Sequence, residues 1–227
     1  MKTVALIQAR LGSSRLPCKM MLSLHGLPVI DWVVRRVRRA TLVDEVVVAT
    51  STQPENDILE HHLSRQGVAV FRGPEDDVLE RFRLAGAAYG AEQVVRVCAD
   101  NPLIWGGAID DLIRFWRAEG CDYAYNHIPR GNLYPDGLGA ETLSFALLEE
   151  VAREATLPEH REHCLSFIWA HPERYTIRTF DPADPALHRP DLKLDMDTPA
   201  DYRYLALMDI HPDITPEELV AMLPRTA

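Results

Sequence analysis

The chain has 227 residues, of which 47% are hydrophobic and 26% are charged, a composition typical of a globular protein that buries a sizeable core. Its formal net charge of -10 at pH 7 argues against a general nucleic-acid-binding protein, because such proteins usually carry a basic excess.

The four cysteines are widely separated and form no Cys-x-x-Cys pair. This spacing favours reduced thiols in a cytoplasmic protein over a disulfide framework or a zinc site. The apolar run at residues 3–7 is too short for a secretion signal, and no apolar window approaches the roughly 20 residues that span a bilayer. We therefore expect a cytoplasmic protein that makes no membrane contact.

The first predicted element is an apolar strand at residues 4–7, which gives way abruptly to a polar loop. Gly12 allows a ligand to approach the backbone closely, and the hydroxyls of Ser13 and Ser14 can join backbone N–H groups in an anion-binding nest. Residues 1–30 contain no Asp or Glu, although the whole chain has 34 acidic residues. The loop cations are Arg10, Arg15 and Lys19. This local positive charge predicts a site for a small polyanion such as a nucleoside triphosphate.

Strands and helices then alternate as far as residue 125. The predicted strands cover residues 44–50, 68–71, 93–99 and 122–125. The predicted helices follow Pro28, cover residues 57–65, follow a turn within residues 72–90, and cover residues 109–119. This alternation is typical of a mostly parallel central sheet with helices on both faces, in which ligands bind at the carboxyl ends of the strands. Four polar residues lie at such ends: Gln8, Thr50, Arg72 and Asp100.

The alternation stops at residues 126–139, which hold three glycines and two prolines without any periodicity. A loop of this length in a compact domain is usually a lid or a binding loop, and disorder is the alternative. The remaining predicted elements are helices at residues 142–154 and 160–170, a strand at residues 175–180, a short apolar element at residues 192–196, and helices that start at Pro199 and Thr215.

Two aspartates follow apolar segments that are far apart in the sequence. Asp100 ends the strand at residues 93–99, and Asp197 ends the apolar element at residues 192–196. Mg²⁺ prefers a few carboxylates together with phosphate oxygens and waters, so the two acids could share one metal beside the first loop. An aspartate after a strand is as often a helix cap or a turn residue, so the pair alone leaves both interpretations open.

Three motifs together resemble the cytidylyltransferase family that makes CMP-activated acidic sugars. They are QARLGSSRLPCK at residues 8–19, ADNP at residues 99–102 and LDMDTPADY at residues 194–202. The family includes the CMP-KDO and acylneuraminate cytidylyltransferases, and the chain is most similar to the SpsF-like proteins of spore-coat polysaccharide biosynthesis.

The resemblance implies a Rossmann-like nucleotidyltransferase fold in a single domain over residues 1–227. It implies transfer of CMP from CTP to the hydroxyl of a nonulosonic or octulosonic acid-like sugar, with release of pyrophosphate, for surface polysaccharide biosynthesis. Mg²⁺ is the implied cofactor, and a homodimer is the implied assembly. An irregular region around residues 126–170 would then hold the acceptor, act as a lid or form the dimer contact.

The resemblance also assigns roles to residues by position. The nucleotide-binding residues are Gln8, Ala9, Arg10, Gly12, Ser13, Ser14, Arg15 and Lys19, and the position at strand ends, apart from the resemblance, adds Thr50 and Arg72. The metal ligands are Asp100 and Asp197. These two acids, with Arg15 and Lys19 to neutralise charge on the departing pyrophosphate, are the predicted catalytic residues. The sequence departs from the family at Cys18, where a glycine commonly precedes the lysine, and at Asn101, where an acid is frequent.

The acceptor site is less defined by the sequence. An acidic sugar needs a cation for its carboxylate and hydrogen-bonding groups for its hydroxyls. The candidates are Arg130, Glu141, Arg161 and His163. Each of them could equally be an ordinary surface residue.

Two other functions fit parts of the sequence. A metal-dependent glycosyltransferase with a nucleotide-sugar donor would use the D-x-D triplet at residues 195–197. That triplet lies near the end of the chain, however, and the first loop carries more positive charge than a diphosphate requires. A non-catalytic nucleotide-binding protein would bind CTP without turnover. A nicotinamide-binding protein is disfavoured because the first loop lacks G-x-G-x-x-G.

Overall fold

The computed structural model describes residues 1–224. Its strands are β1 (Thr3–Gln8), β2 (Ser23–Leu24), β3 (Leu27–Pro28), β4 (Glu45–Ser51), β5 (Ala69–Gly73), β6 (Gln93–Cys98), β7 (Tyr123–Tyr125), β8 (Glu141–Ser144) and β9 (Ile177–Arg178). Its α-helices are α1 (Val29–Val37), α2 (Asp57–Ser64), α3 (Val78–Ala88), α4 (Gly106–Glu119), α5 (Phe145–Glu154), α6 (Pro158–Glu162), α7 (Ser166–Ala170), α8 (Pro199–Leu207) and α9 (Pro216–Met222). Short 3₁₀ turns occupy Lys19–Met21, Pro54–Asn56 and Pro185–Leu187.

The described chain is built on a seven-stranded sheet with the order β5-β4-β1-β6-β8-β7-β9. The strands β5, β4, β1 and β6 are parallel, whereas β8 runs antiparallel to both of its neighbours. The carboxyl ends of the four parallel strands therefore meet at one edge of the sheet, where Gln8 lies opposite Ala49 and Cys98. The prediction of a mostly parallel central sheet is confirmed.

Both faces of the sheet are covered, as the continuous apolar strands require. Along β1 the side chains alternate, so that Ile7 packs in one core with Trp32 of α1, and Leu6 packs in the other core with Phe82 of α3. All four side chains are at most 1% exposed. Among residues 1–224, no helix has both the length and the apolar character needed to cross a bilayer.

The prediction of one helix over residues 142–154 was wrong at its start. Residues 141–144 form the antiparallel strand β8, which pairs with β6 and β7, and the helix α5 begins only at Phe145. Ser144 is the N-cap of α5 and accepts a hydrogen bond from the Leu147 N–H. The strand could not be recognised in the sequence, because it runs directly into the helical periodicity of α5 and only the cap residue Ser144 marks the boundary. The strand places Glu141 directly opposite Arg96.

Other predicted elements in the second half are shorter or divided. Residues 160–170 do not form one helix, because Leu165 adopts a left-handed backbone with φ of 70° between α6 and α7. The predicted strand at residues 175–180 is reduced to β9. The apolar element at residues 192–196 contributes an isolated parallel bridge between Asp136 and Lys193. The small hairpin of β2 and β3, whose turn residues His25 and Gly26 both have positive φ, was not predicted.

The loop at residues 126–139 has a defined conformation that is centred on Asn126. The Asn126 side chain donates to the Ala108 carbonyl and accepts from the Ala140 N–H. Gly139 lies so close to the Asn126 side chain that a Cβ at position 139 would be 2.3 Å from Asn126 Oδ1. Only glycine therefore fits there. Tyr125 donates a hydrogen bond to the Arg130 carbonyl across the loop. These contacts are typical of a packed loop, so the glycines and prolines of residues 126–139 do not reflect disorder.

Candidate active site

A cleft of about 330 Å³ opens at the carboxyl ends of β1 and β6. All the residues that the sequence assigned to the first loop line it: Gln8, Ala9, Arg10, Gly12, Ser13, Ser14, Arg15 and Lys19. Asp100 and Asp197 line the same cleft, as does His163. The fold therefore brings together two halves of a site that are almost a full chain length apart.

The loop after β1 is anchored by its own apolar residues. Leu11 and Leu16 are buried, and the Leu11 carbonyl accepts hydrogen bonds from the N–H groups of Ser13 and Cys18. The Leu11 N–H donates to the side chain of Asn56 at 2.9 Å. Packing and backbone hydrogen bonds thus hold the loop in shape, while its polar residues remain at the surface of the cleft.

Cys18 lies in the left-handed backbone region, with φ of 56° and ψ of 24°. A residue with a Cβ is strained there and glycine is not, which is a physical reason for a glycine before the lysine. We expect Cys18→Gly to raise the free energy of unfolding by about 0.5 to 1 kcal/mol, after allowance for the backbone entropy that glycine loses. Cys18→Ser is the control and should leave stability unchanged in urea unfolding. A glycine variant less stable than the serine variant would contradict this assignment of strain.

Lys19 joins the two predicted metal ligands. Its Nζ lies 3.1 Å from Asp100 Oδ2 and 3.2 Å from Asp197 Oδ1, and it also donates to the Met196 carbonyl at 3.3 Å. Arg15 Nη2 lies 3.0 Å from the other oxygen of Asp197. One ammonium group thus marks the point at which the two carboxylates converge.

Neither aspartate caps a helix. The N-cap of α8 is Thr198, which forms a capping box with Asp201, and the N–H of Asp197 also donates to the Asp201 carboxylate. The Met196 N–H donates to the Asp100 carbonyl at 2.7 Å and ties this segment to the end of β6. The backbone around both acids is therefore held by other groups, and their carboxylates are directed to Lys19. This geometry decides against the helix-cap interpretation that the sequence left open.

Further negative charge lies beside this pair. Burial and the neighbouring carboxylate of Asp195 raise the pKa of Asp136 to about 6, with smaller contributions from Asp100 and Asp197. Within the described residues, no group of three or more His, Cys, Asp or Glu side chains is arranged to hold a metal ion. The two carboxylates are oxygen ligands of the kind that a hard divalent cation takes together with oxygen atoms of a bound ligand.

The remaining loop cation also pairs with acids. Arg10 Nη1 lies 2.9 Å from Glu75, and its Nη2 lies 4.0 Å from Glu162. All three loop cations therefore lie against carboxylates at the edge of the cleft. These pairs are partly exposed and contribute little to stability, so an anion with several oxygens can compete for the cations.

Thr50 and Arg72 do not line the cleft. Thr50 is fully buried in the sheet. Arg72 instead joins β5 to α2 by ion pairs with Asp57 and Glu60, at 2.6 and 2.7 Å. Hydrogen bonding to Asp57 and Glu60 also raises the pKa of Arg72. Both residues lie at the predicted edge of the sheet, but neither of them reaches the cleft.

Of the four acceptor candidates, His163 alone lines the cleft. Arg161 binds the Asp77 carboxylate at 2.6 and 2.9 Å, next to the N-terminus of α3. The guanidinium of Arg130 lies over the Trp169 ring, 4.5 Å from its centroid. Glu141 is 3% exposed and forms an ion pair with Arg96.

Arg96, Cys98 and Glu162 also line the cleft, and none of them was among the predicted site residues. Arg96 offered a signal, because a charged side chain within an apolar strand must find a partner when it is buried. Burial raises the pKa of the Cys98 thiol to about 12, which disfavours its thiolate form. The position of Glu162 depends on the break between α6 and α7, which has no clear mark in the sequence.

Comparisons with known proteins support the assignment of the motifs. Residues 4–207 match the family described as cytidylyltransferase. The chain is 33% identical to the spore coat polysaccharide biosynthesis protein SpsF of Bacillus subtilis, over 97% of this chain and 93% of that protein. It is 30% identical to 3-deoxy-manno-octulosonate cytidylyltransferase 2 of Hydrogenovibrio crunogenus, over 70% of this chain and 58% of that protein.

Solved structures agree with these matches. A cytidylyltransferase from Leptospira borgpetersenii superposes with a TM-score of 0.88 at 26% identity, covering 98% of this chain and 94% of that one. A CMP:2-keto-3-deoxy-manno-octonic acid synthetase complexed with CTP has a TM-score of 0.68 at 20% identity, over 91% of this chain and 97% of that one, which shows a common fold. The motif resemblance is therefore confirmed, and the chain belongs to the cytidylyltransferase family as a CTP-dependent nucleotidyltransferase.

Proposed function

We propose that the protein transfers CMP from CTP to the hydroxyl of an acidic sugar of the nonulosonic or octulosonic acid type and releases pyrophosphate. The observation that carries this proposal is the convergence of Asp100 and Asp197 on Lys19 at the end of the phosphate loop. The names of the relatives, one in spore-coat polysaccharide biosynthesis and one a 3-deoxy-manno-octulosonate cytidylyltransferase, support a role in surface polysaccharide synthesis. Mg²⁺ as cofactor and a cytoplasmic homodimer complete the proposal.

The first loop would bind the triphosphate. Arg10, Arg15 and Lys19 would exchange their present carboxylate partners for phosphate oxygens, which accept charge-assisted hydrogen bonds in the same way. Ser13 and Ser14 lie in the same wall of the cleft and offer hydroxyl donors. The loop is anchored by Leu11 and Leu16, so little of it has to be reorganised when the nucleotide binds.

Asp100 and Asp197 would hold the divalent cation, which when bound polarises the α-phosphate and lowers the pKa of an acceptor hydroxyl. The acceptor hydroxyl attacks the α-phosphorus, and the bond to the departing pyrophosphate breaks in line with it. Lys19 and Arg15 would neutralise the charge that develops on pyrophosphate. The cleft wall that carries His163 remains for the acceptor sugar.

The structure gives the glycosyltransferase alternative little support. Asp195, the first acid of the D-x-D triplet, pairs with Lys193 at 2.9 Å and does not line the cleft. Asp197, the second acid, does line it. The triplet thus fails to present both carboxylates to one ligand.

A pyrophosphate-release assay tests the proposal. Purified full-length protein with Mg²⁺ is given each of the four nucleoside triphosphates with a panel of nonulosonic, octulosonic and simpler hydroxy acids. We expect pyrophosphate only with CTP and an acidic sugar. Consumption of a nucleotide-sugar donor, with no triphosphate used alongside any acceptor, would establish the glycosyltransferase alternative instead. Binding of CTP without turnover on any acceptor would point to a non-catalytic nucleotide-binding protein.

A further inference from the structure

The Gln8 side chain is held in one orientation by Arg96. Arg96 donates from Nε and Nη2 to Gln8 Oε1, at 3.2 and 2.9 Å. An arginine has donors and no acceptor, so the amide oxygen of Gln8 must face it and the amide NH₂ group must point elsewhere. That NH₂ group makes no hydrogen bond with residues 1–224, and Gln8 lines the cleft. Gln8 therefore presents N–H donors, and no acceptor, to a ligand.

The guanidinium of Arg96 is in turn held in place by buried side chains. Its Nη1 forms an ion pair with Glu141, which faces it across β6 and β8 and is 3% exposed. The other carboxylate oxygen of Glu141 accepts a hydrogen bond from the Tyr123 hydroxyl, which in turn accepts one from Trp169 Nε1 at 3.2 Å. Turning Arg96 away would leave the buried carboxylate of Glu141 without its arginine partner, which is costly. The orientation of Gln8 is thus fixed before any ligand binds.

The position of Gln8 suits the uncharged end of a nucleotide. Arg15, Lys19 and the two aspartates form one charged cluster in the cleft, whereas Gln8 is a neutral side chain in the same lining, and the charge of Arg96 beside it is offset by the ion pair with Glu141. Cytosine has two adjacent acceptors, O2 and N3, and uracil carries a hydrogen on N3. A side chain that offers donors alone matches cytosine and meets the uracil N3–H with an opposing donor.

We propose that Arg96 and Glu141 are positioning residues that hold Gln8 as a donor, and that Gln8 thereby selects cytosine over uracil. This inference rests on the proposed function, because it requires a nucleotide in the cleft. It also gives Glu141 a role different from contact with the acceptor, since this carboxylate lies behind Arg96 and acts through it. The base preference is then set by Gln8 and the side chains that hold it, and not by the cations of the first loop.

Gln8→Glu is the sharpest test. A carboxylate at this position would pair with Arg96 and offer acceptors to the base, which suits the uracil N3–H and opposes cytosine N3. We expect the ratio of CTP to UTP affinity, measured with Mg²⁺ by calorimetry on the full chain, to fall by at least about tenfold. The added negative charge weakens both triphosphates alike, so the ratio isolates recognition of the base. Arg96→Lys releases the Gln8 oxygen and should lower the same ratio without any new charge.

Gln93→Glu is the matched control. Gln93 lies at the opposite end of β6, is fully buried outside the cleft, and accepts a hydrogen bond from Arg117 Nε at 3.2 Å. The same substitution there should cost stability and leave the nucleotide ratio unchanged. A wild-type protein that prefers CTP, with variants at Gln8 and Arg96 that keep this preference, would overturn the inference alone. A wild-type protein that binds no nucleotide would overturn the proposed function as well.

Discussion

Asp100→Asn and Asp197→Asn should each reduce the rate of pyrophosphate release by about a thousandfold or more, while the protein stays folded. An amide keeps the size of the side chain but carries no charge for a divalent cation. Lys19 Nζ contacts both carboxylates at 3.1 and 3.2 Å, so it retains one of them in either variant. Stability should therefore change by less than about 1 kcal/mol, as for other partly exposed ion pairs.

Asp195→Asn is the matched control for this pair of variants. Asp195 lies in the same acidic neighbourhood and contributes to the raised pKa of Asp136, but it pairs with Lys193 outside the cleft. We expect a much smaller loss of rate for it in the same assay. Turnover at the wild-type level in Asp100→Asn or Asp197→Asn would remove the proposed metal site. A loss as large in Asp195→Asn would favour a D-x-D mechanism.

The first loop and the two aspartates could be predicted because their signals are local. A glycine, two serines and three cations follow an apolar strand within twelve residues, at residues 8–19. Asp100 and Asp197 each follow an apolar segment directly. The rule that ligands bind at the carboxyl ends of parallel strands then places the first loop and Asp100 at one edge of the sheet.

Arg72 was placed wrongly because the sequence does not reveal strand order, whereas Thr50 lies on β4, next to β1, and is kept out of the cleft by its burial. The cleft lies at β1 and β6, whereas Arg72 belongs to β5, two strands away from β1 on the other side. Its guanidinium meets the nearer acids Asp57 and Glu60 instead. A residue at the correct edge of a sheet can thus lie several strands from the site.

Arg96 was not among the predicted site residues and Glu141 was among the acceptor candidates, because the relation between the two depends on strand pairing. The strand β8 enters the sheet between β6 and β7 and reverses direction, which no short-range pattern announces. Without that pairing Arg96 has no visible partner, and Glu141 resembles a free acid in a loop region. The residues that hold Gln8 are therefore brought together by strand pairing, which the local sequence does not reveal.

Lys19→Met should have two effects that point in opposite directions. The rate of pyrophosphate release should fall by about a hundredfold to a thousandfold, because the departing pyrophosphate loses a cation. The affinity for Mn²⁺ in the absence of nucleotide should rise by about tenfold, because Nζ no longer competes for the carboxylates of Asp100 and Asp197. Methionine has a similar length, so packing is largely retained, and Arg15 still pairs with Asp197.

Electron paramagnetic resonance of free Mn²⁺ measures this affinity. Lys193→Met is the control that distinguishes direct competition by Lys19 from a general change in local charge. Lys193 Nζ lies 2.9 Å from Asp195 and 3.4 Å from Asp201, so its removal deletes one nearby positive charge without freeing Asp100 or Asp197. If both variants raised the Mn²⁺ affinity equally, Lys19 would act only through the local field. A rise confined to Lys19→Met would show that the phosphate-binding lysine and the cation share one place, so that nucleotide binding must draw Lys19 away before the metal site is complete.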